Sequence, residues 1–173
     1  MMMMNAQRSR RQKKISKKQE NAVAKELGGK TQAASGAVKL GGGADVRVRH
    51  YSADGLMTNS FRIECKYTEK SAYSLKKADL RKLVIQASRT FEQPVMQVAF
   101  VDTLGRRDEF AIIKTTWGNT SIIDAKSVNL IKDQLDQILL THKEYRIRFA
   151  GEPEGWAIKH WSEFIKEVHI DND

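Results

Sequence analysis

The sequence predicts an α/β or α+β fold organised around a central mixed β-sheet flanked by helices. Three features predict it. Two alternating segments, "ADVRVRHY" and "SFRIECKYT", flank the turn dipeptide Asp54-Gly55 and read as a hairpin. A stripe of Leu80, Leu83, Val84, Ala87 and Phe91 follows at helical spacing. Two apolar segments, "PVMQVAFV" and "EFAIIKTT", come next, divided by "LGRRD". Hairpin, helix and two further strands make a layered arrangement around one sheet.

Taken in order, residues 1–15 are polar and basic with little to bury, and are expected to form a flexible basic tail. A helix is expected over 16–27, closed by Gly28-Gly29. The stretch "KTQAASGAVKLGGGA" is rich in glycine, alanine and serine and reads as a loop. After the hairpin, Ser74 is the expected N-cap of a helix over 74–91. Pro94 opens the next strand. Beyond it, "SVNLIKDQLDQILL" predicts an amphipathic helix able to supply an interface, "EYRIRFA" a short strand, and "GWAIKHWSEFIKEV" a closing helix. The expected organisation is a basic tail (1–15), a core (16–116) and a C-terminal extension packed on that core (117–173). Trp117, Trp156 and Trp161 are expected as core or interface aromatics.

The charge is uneven. Lysine and arginine number 30 against 21 acids, a net charge of +9. Residues 1–126 hold 24 of the basic and 12 of the acidic residues, whereas 127–173 hold 6 and 9. A positive front portion points to a polyanionic partner, most simply nucleic acid, because neutralising phosphates releases counterions. The cations expected to contact it are Arg10, Arg11, Lys13, Lys14, Lys17, Lys18, Lys30, Lys39, Lys76 and Lys77. A single cysteine, Cys65, excludes an intrachain disulfide and a thiolate metal cluster. The four histidines show no paired ligand spacing, which argues against zinc. No apolar run approaches a membrane span, so the cytoplasm is the expected location.

Within the return strand, Phe61, Ile63, Cys65 and Tyr67 share a face expected to meet the core, and Arg62, Glu64, Lys66 and Thr68 share the other. If Tyr51 pairs with Ser60, Asp45 lies opposite Lys66 and diagonal to Glu64, about 5–8 Å apart at Cβ. A two-residue change of register keeps these faces, while a one-residue slip separates Asp45 from the pair. In the first helix, Glu20 stands on the stripe formed with Val23, Ala24 and Leu27, whereas Glu26 is about 240° further round and should face water. An inward carboxylate needs a partner. Clustered carboxylates repel unless a cation lies among them. Lys66 can serve, and so can Mg²⁺, which is held by one or two carboxylates, water and phosphate oxygens. Acid-x-Lys alone is an ordinary strand ion pair, and it recurs at Asp124-Ala125-Lys126.

The succession of a first-helix acid, Ser35-Gly36-Ala37 in a loop, Asp45 before an apolar strand residue, "IECKYT" and then "YSL" resembles the PD-(D/E)xK nuclease superfamily. Within it the chain looks most like archaeal-type Holliday junction resolvases and their phage-borne relatives, over about residues 17–100. Alanine stands at position 44 in place of the motif's proline, and residues beyond Trp117 have no counterpart in the resemblance. The resemblance implies a restriction-endonuclease-like core and a Mg²⁺-dependent endonuclease, with Mn²⁺ able to substitute. It implies Asp45, Glu64, the Cys65 backbone carbonyl and Glu20 as metal ligands. Lys66 would orient or activate the attacking water, and Ser35 would lie near the scissile phosphate. Branched DNA, a homodimer with two sites, 5′-phosphate and 3′-hydroxyl products, and a part in recombination or repair follow from the same resemblance. Two alternatives stay open. One is a restriction-like, nicking or repair endonuclease on duplex DNA. The other is a non-catalytic DNA-binding module.

Overall fold

A run of twenty-six residues without glycine or proline, Met2–Leu27, forms helix α1. The computed structural model describes residues 2–31, 46–116 and 120–170, with side chains from Arg11 to His169 within those segments. α1 therefore begins well before residue 16, and the expected flexible tail is helical from Met2 onward. The Arg, Lys and Gln that make this segment polar are also good helix formers, so a segment with little to bury can still be helical. The helix stops where predicted. Gly28 adopts φ +65°, and the Gly29 N–H donates to Ala24 O at 2.8 Å, which satisfies a terminal carbonyl.

Strands β1 (Lys30–Thr31), β2 (Val46–Tyr51) and β3 (Met57–Thr68) form one side of the sheet, joined across the Asp54-Gly55 turn as the sequence implies. The hairpin register differs from the expected one by two residues. Arg49, not Tyr51, pairs with Ser60, and Val46 pairs with Ile63, with an irregularity between His50 and Tyr51. Lys66 thus lies beyond the described ladder. Parity is kept, so the face assignments on β3 survive. β5 (Gln93–Val101) runs parallel to β3, and β6 (Arg107–Thr115) returns antiparallel through a turn held by Asp102.

Three expectations in the remaining segments need correction. Ser74 is not an N-cap: it lies in strand β4 (Ala72–Lys76) opposite Asn129, and helix α2 runs from Lys77 to Ser88 without a side-chain cap. Residues 127–131 are strand β8 (Ser127–Ile131), so helix α3 covers only Lys132–Thr141. β4 and β8 make a two-stranded sheet of their own, signalled by alternation in which Leu75 and Leu130 are buried and Ser74 and Asn129 are exposed. Finally, "GWAIKH" is strand β10 (Gly155–His160), followed by helix α4 (Trp161–Ile170). Both faces of β10 are covered, so nearly every residue is apolar or buried and no period of two is visible.

With β7 (Ser121–Ile123) and β9 (Tyr145–Phe149), the main sheet has the order β1-β2-β3-β5-β6-β10-β9-β7. It is mixed, as expected, with parallel pairs β3–β5 and β7–β9. Residues beyond 117 are thus more than a layer on a finished core, because β10 pairs directly with β6. Helices α1 and α4 bury Val23, Leu27, Trp161, Phe164 and Val168 against Val48, Ile63, Val95 and Ala111 on one face. Helices α2 and α3 bury Leu80, Leu83 and Leu135 against Met96, Val98, Phe110, Ile112 and Ile158 on the other. The apolar side of α3 is therefore occupied by its own sheet, although Leu140 is exposed. Trp156 and Trp161 are core residues as expected, and Trp117 lies outside the described residues.

Candidate functional site

Glu64 and Lys66 stand two residues apart on β3, on the face that also carries Arg62. Their partners on β5, Met96 and Val98, belong to the core beneath α2. Lys66 Nζ donates to Glu64 Oε1 at 2.7 Å, with 35% of the lysine and 20% of the glutamate side chain exposed. The pair is therefore half-buried and open to solvent on one side. Cys65 points to the opposite face and packs against the α1 side of the core, as expected for a strand residue.

Helix α1 packs on the opposite face of the sheet, and Glu20 stands one turn before its buried residues. Val23, Ala24 and Leu27 are buried beneath it, and Glu20 itself is half-buried. Its carboxyl is pushed above the ordinary glutamate value first by burial and also by the negative charge of Glu64, with Lys17 opposing. Glu64 therefore lies within electrostatic reach of Glu20, although one comes from a strand and the other from a helix. Glu26 is exposed, as predicted, and accepts a hydrogen bond from Trp161 Nε1 at 2.8 Å.

Two residues at this site escaped sequence reasoning. Gln19 is 1% exposed; its Nε2 donates to Lys66 O at 2.9 Å and to Gln97 Oε1 at 2.7 Å, which ties α1 to the backbone of the lysine. Its signal was present: Gln19 lies four residues before Val23 and eight before Leu27, and Gln97 interrupts an otherwise apolar strand. Tyr73 on β4 is the second. Burial pushes its phenol up to about 12, while Lys66 lowers it and Asp79 and Glu64 raise it. It stays protonated at physiological pH and keeps an O–H donor near the Glu64–Lys66 pair.

Of the other predicted residues, Asp45, Ser35 and Lys39 lie outside the described residues, as does the side chain of Arg10. Arg11 pairs with Glu69 at 3.4 Å near the end of β3. Lys13, Lys14, Lys17, Lys18, Lys30 and Lys76 are exposed. Lys77 is turned inward: its Nζ donates to Ala150 O at 2.9 Å and pairs with Glu152 at 3.0 Å. The sequence showed only a basic face on α2, because Glu152 arrives from the distant C-terminal segment.

Among the described residues, no group of three or more His, Cys, Asp or Glu side chains is placed to hold a metal. Glu64 and Glu20 are the hard-oxygen groups nearest this point, and the charge of Glu64 is felt at Glu20. Asp45, their expected companion, directly precedes Val46, whose partner Ile63 directly precedes Glu64. Among the described residues, no helix is long and apolar enough to cross a membrane.

No family model matches the chain, and no curated protein matches it. A solved structure with a resembling arrangement is Hjc, a Holliday junction resolvase from Archaeoglobus fulgidus. The identity is 18% and the TM-score 0.38, over 53% of this chain and 72% of that one. A likeness of this extent carries no functional weight, so the reading of the site rests on its own residues.

Proposed function

We propose that this protein is a Mg²⁺-dependent DNA endonuclease acting on branched DNA, four-way junctions first among them. The observation that supports it most is the Glu64–Lys66 pair on β3, 2.7 Å apart and half-buried, with the Glu20 carboxyl of α1 within electrostatic reach of Glu64. Each would be costly there without the others or a cation. Asp45 is the further carboxylate of the proposed site, with the Cys65 carbonyl as a backbone ligand and Ser35 near the phosphate. A bound Mg²⁺ would supply a hydroxide at neutral pH and neutralise charge on the phosphate oxygens.

The chain's own groups then have defined roles. Glu64 and Asp45 would hold the cation, and Glu20 would complete the carboxylate set. The Lys66 ammonium, a compact charge, positions the attacking water and meets the charge that develops on the phosphate. Gln19 keeps α1, and with it Glu20, in register with Lys66. A junction has two symmetric scissile positions, so a twofold homodimer in the cytoplasm is the proposed assembly.

The deciding experiment compares a labelled four-way junction with linear duplex in Mg²⁺ and in EDTA. Junction cleavage that EDTA abolishes supports the reading. Equal cleavage of duplex would favour a restriction-like, nicking or repair enzyme. Binding without cleavage under Mg²⁺ or Mn²⁺ would favour a non-catalytic module, for which the closed Lys66–Glu64 pair is the supporting observation.

A further inference from the structure

A second cationic feature lies on the same face of the hairpin, away from the acids. A groove of about 280 Å³ between the end of α1 and β2 is lined by Gly28, Gly29, Lys30, Arg47, Arg49 and Tyr51. None of these is acidic, and the volume is several times the roughly 30 Å³ that a water molecule occupies in the liquid. Close approach shapes it. A Cβ on Gly29 would lie 2.7 Å from Val48 Cγ2 and 2.8 Å from Arg47 O, so only glycine lets the helix end sit against β2 here. The negative end of α1 is partly masked, because His50 Nε2 donates to Leu27 O at 2.9 Å.

Arg47 and Arg49 of the groove both reach a buried carboxylate, Glu92, whose side chain has no exposure. Arg47 donates to its Oε1 through Nε at 2.8 Å and Nη2 at 2.5 Å. Arg62 Nε and the Thr90 hydroxyl reach Oε2 at 2.8 and 2.7 Å. These donors satisfy both oxygens. Arg49 adds only a 3.5 Å contact and keeps 44% of its side chain exposed, and Lys30 is exposed beside it. Among the described residues Glu92 is satisfied by Arg47, Arg62 and Thr90, so neutralising it does not account for Arg49 or Lys30.

The spacing relates this groove to the site. Arg47 pairs with Arg62, two residues from Glu64, and Arg49 pairs with Ser60, four residues from Glu64. At about 3.4 Å per residue these lie roughly 7 and 14 Å along the strand. That places the cations within a few phosphates of the acids along a backbone lying on this face. Arginine held by a buried carboxylate is also pre-organised for a phosphodiester.

We propose that the Lys30–Arg47–Arg49 groove anchors the phosphodiester backbone of a DNA arm within a few nucleotides of the position that is cut. The proposal rests on the reading of DNA as substrate and not on catalysis, and the test keeps the two apart. The full chain is titrated against a fluorescent four-way junction in EDTA over a series of salt concentrations. Removing two phosphate contacts in Lys30→Ala/Arg49→Ala should weaken binding at least tenfold and reduce the log–log salt slope by about 1.8, at about 0.9 per contact. Arg49→Lys should restore part of the slope. Should the double variant melt early, the single variants Lys30→Gln and Arg49→Gln, each expected to remove about 0.9, decide by the same criterion. Wild-type slope and affinity in these variants overturn the groove while leaving the nuclease reading intact. Failure of the wild-type protein to bind any DNA overturns both.

Discussion

Replacing Lys66 separates chemistry from folding. Its ammonium lies 2.7 Å from Glu64 Oε1, but 35% of the side chain meets solvent. An ion pair that open contributes about 0–1 kcal/mol to stability. In a domain of this size 1 kcal/mol moves Tm by roughly 2–4 °C, so Lys66→Ala should melt within about 4 °C of wild type. The proposed role asks far more of the same group. Loss of one preorganised charge that meets the developing oxyanion costs about 10²–10³ in rate, or roughly 2.7–4 kcal/mol. Single-turnover cleavage of a labelled junction in Mg²⁺ measures this loss, and binding in EDTA should stay within a few-fold. Lys66→Arg should not rescue, because a planar fork cannot take the place of a compact ammonium. A rate within tenfold of wild type would refute the catalytic role. So would a melting loss well beyond 4 °C, which would show that the pair mainly holds the fold.

The buried Glu92 predicts the opposite balance. Glu92→Gln leaves Arg62 and Arg47 without their shared charge and should cost about 3 kcal/mol in urea unfolding, because a broken buried pair leaves an uncompensated cation. Burial pushes the Glu92 carboxyl up, yet the Thr90 hydroxyl and the Arg47 and Arg62 guanidiniums outweigh it and hold it below the ordinary value. Its stabilisation is therefore complete above the unfolded glutamate pKa and fades as pH falls through the lower folded value, and the Gln variant should lack this part of the acid limb. Gln19→Leu removes the tie to Lys66 O and strands the buried Gln97 amide; it should cost about 1–3 kcal/mol and slow cleavage with it. Gly29→Ala forces β2 away from the helix end and should destabilise by about 1–3 kcal/mol in thermal melting.

The placement of Glu64 and Lys66 on one face was legible because its signal is local. The alternation of "FRIECKYT" sets which side chains share a face, and this survived a two-residue error in register because parity was unchanged. The close of α1 was legible from its glycines, and Glu20 from its place beside Val23, Ala24 and Leu27. What sequence missed depends on elements distant in the chain. β4 and β8 are short strands 55 positions apart (Ala72↔Ile131 to Lys76↔Ser127 brackets the pairing), and each was read as part of the helix that follows it. β10 has both faces buried, so its period vanished. Lys77 looked solvent-facing until Glu152 arrived from the far end of the chain.

The proposed site stands on a rigid frame. Glu64 and Lys66 are fixed on a strand whose parallel neighbour β5 lies at the centre of two cores, so their backbone has little freedom. Glu20 rides on a helix whose placement is set from below by Gln19 and from its end by Gly29 packing on β2. The proposed electrostatic catalysis would draw on such a frame, since charges already in place need no rearrangement as a reaction proceeds. The cluster itself is the least self-sufficient part of this frame: two carboxylates disfavour each other, and one lysine half in water compensates only in part. Added Mg²⁺ should therefore raise the melting temperature of the wild-type protein, by roughly 2.7 kcal/mol of stabilisation at a hundredfold excess over its Kd. The double variant Glu20→Gln/Glu64→Gln should melt at or above the metal-free wild type and lose that response. A Mg²⁺-induced rise that persists undiminished in the double variant would place the cation elsewhere and remove these two acids from the proposed site.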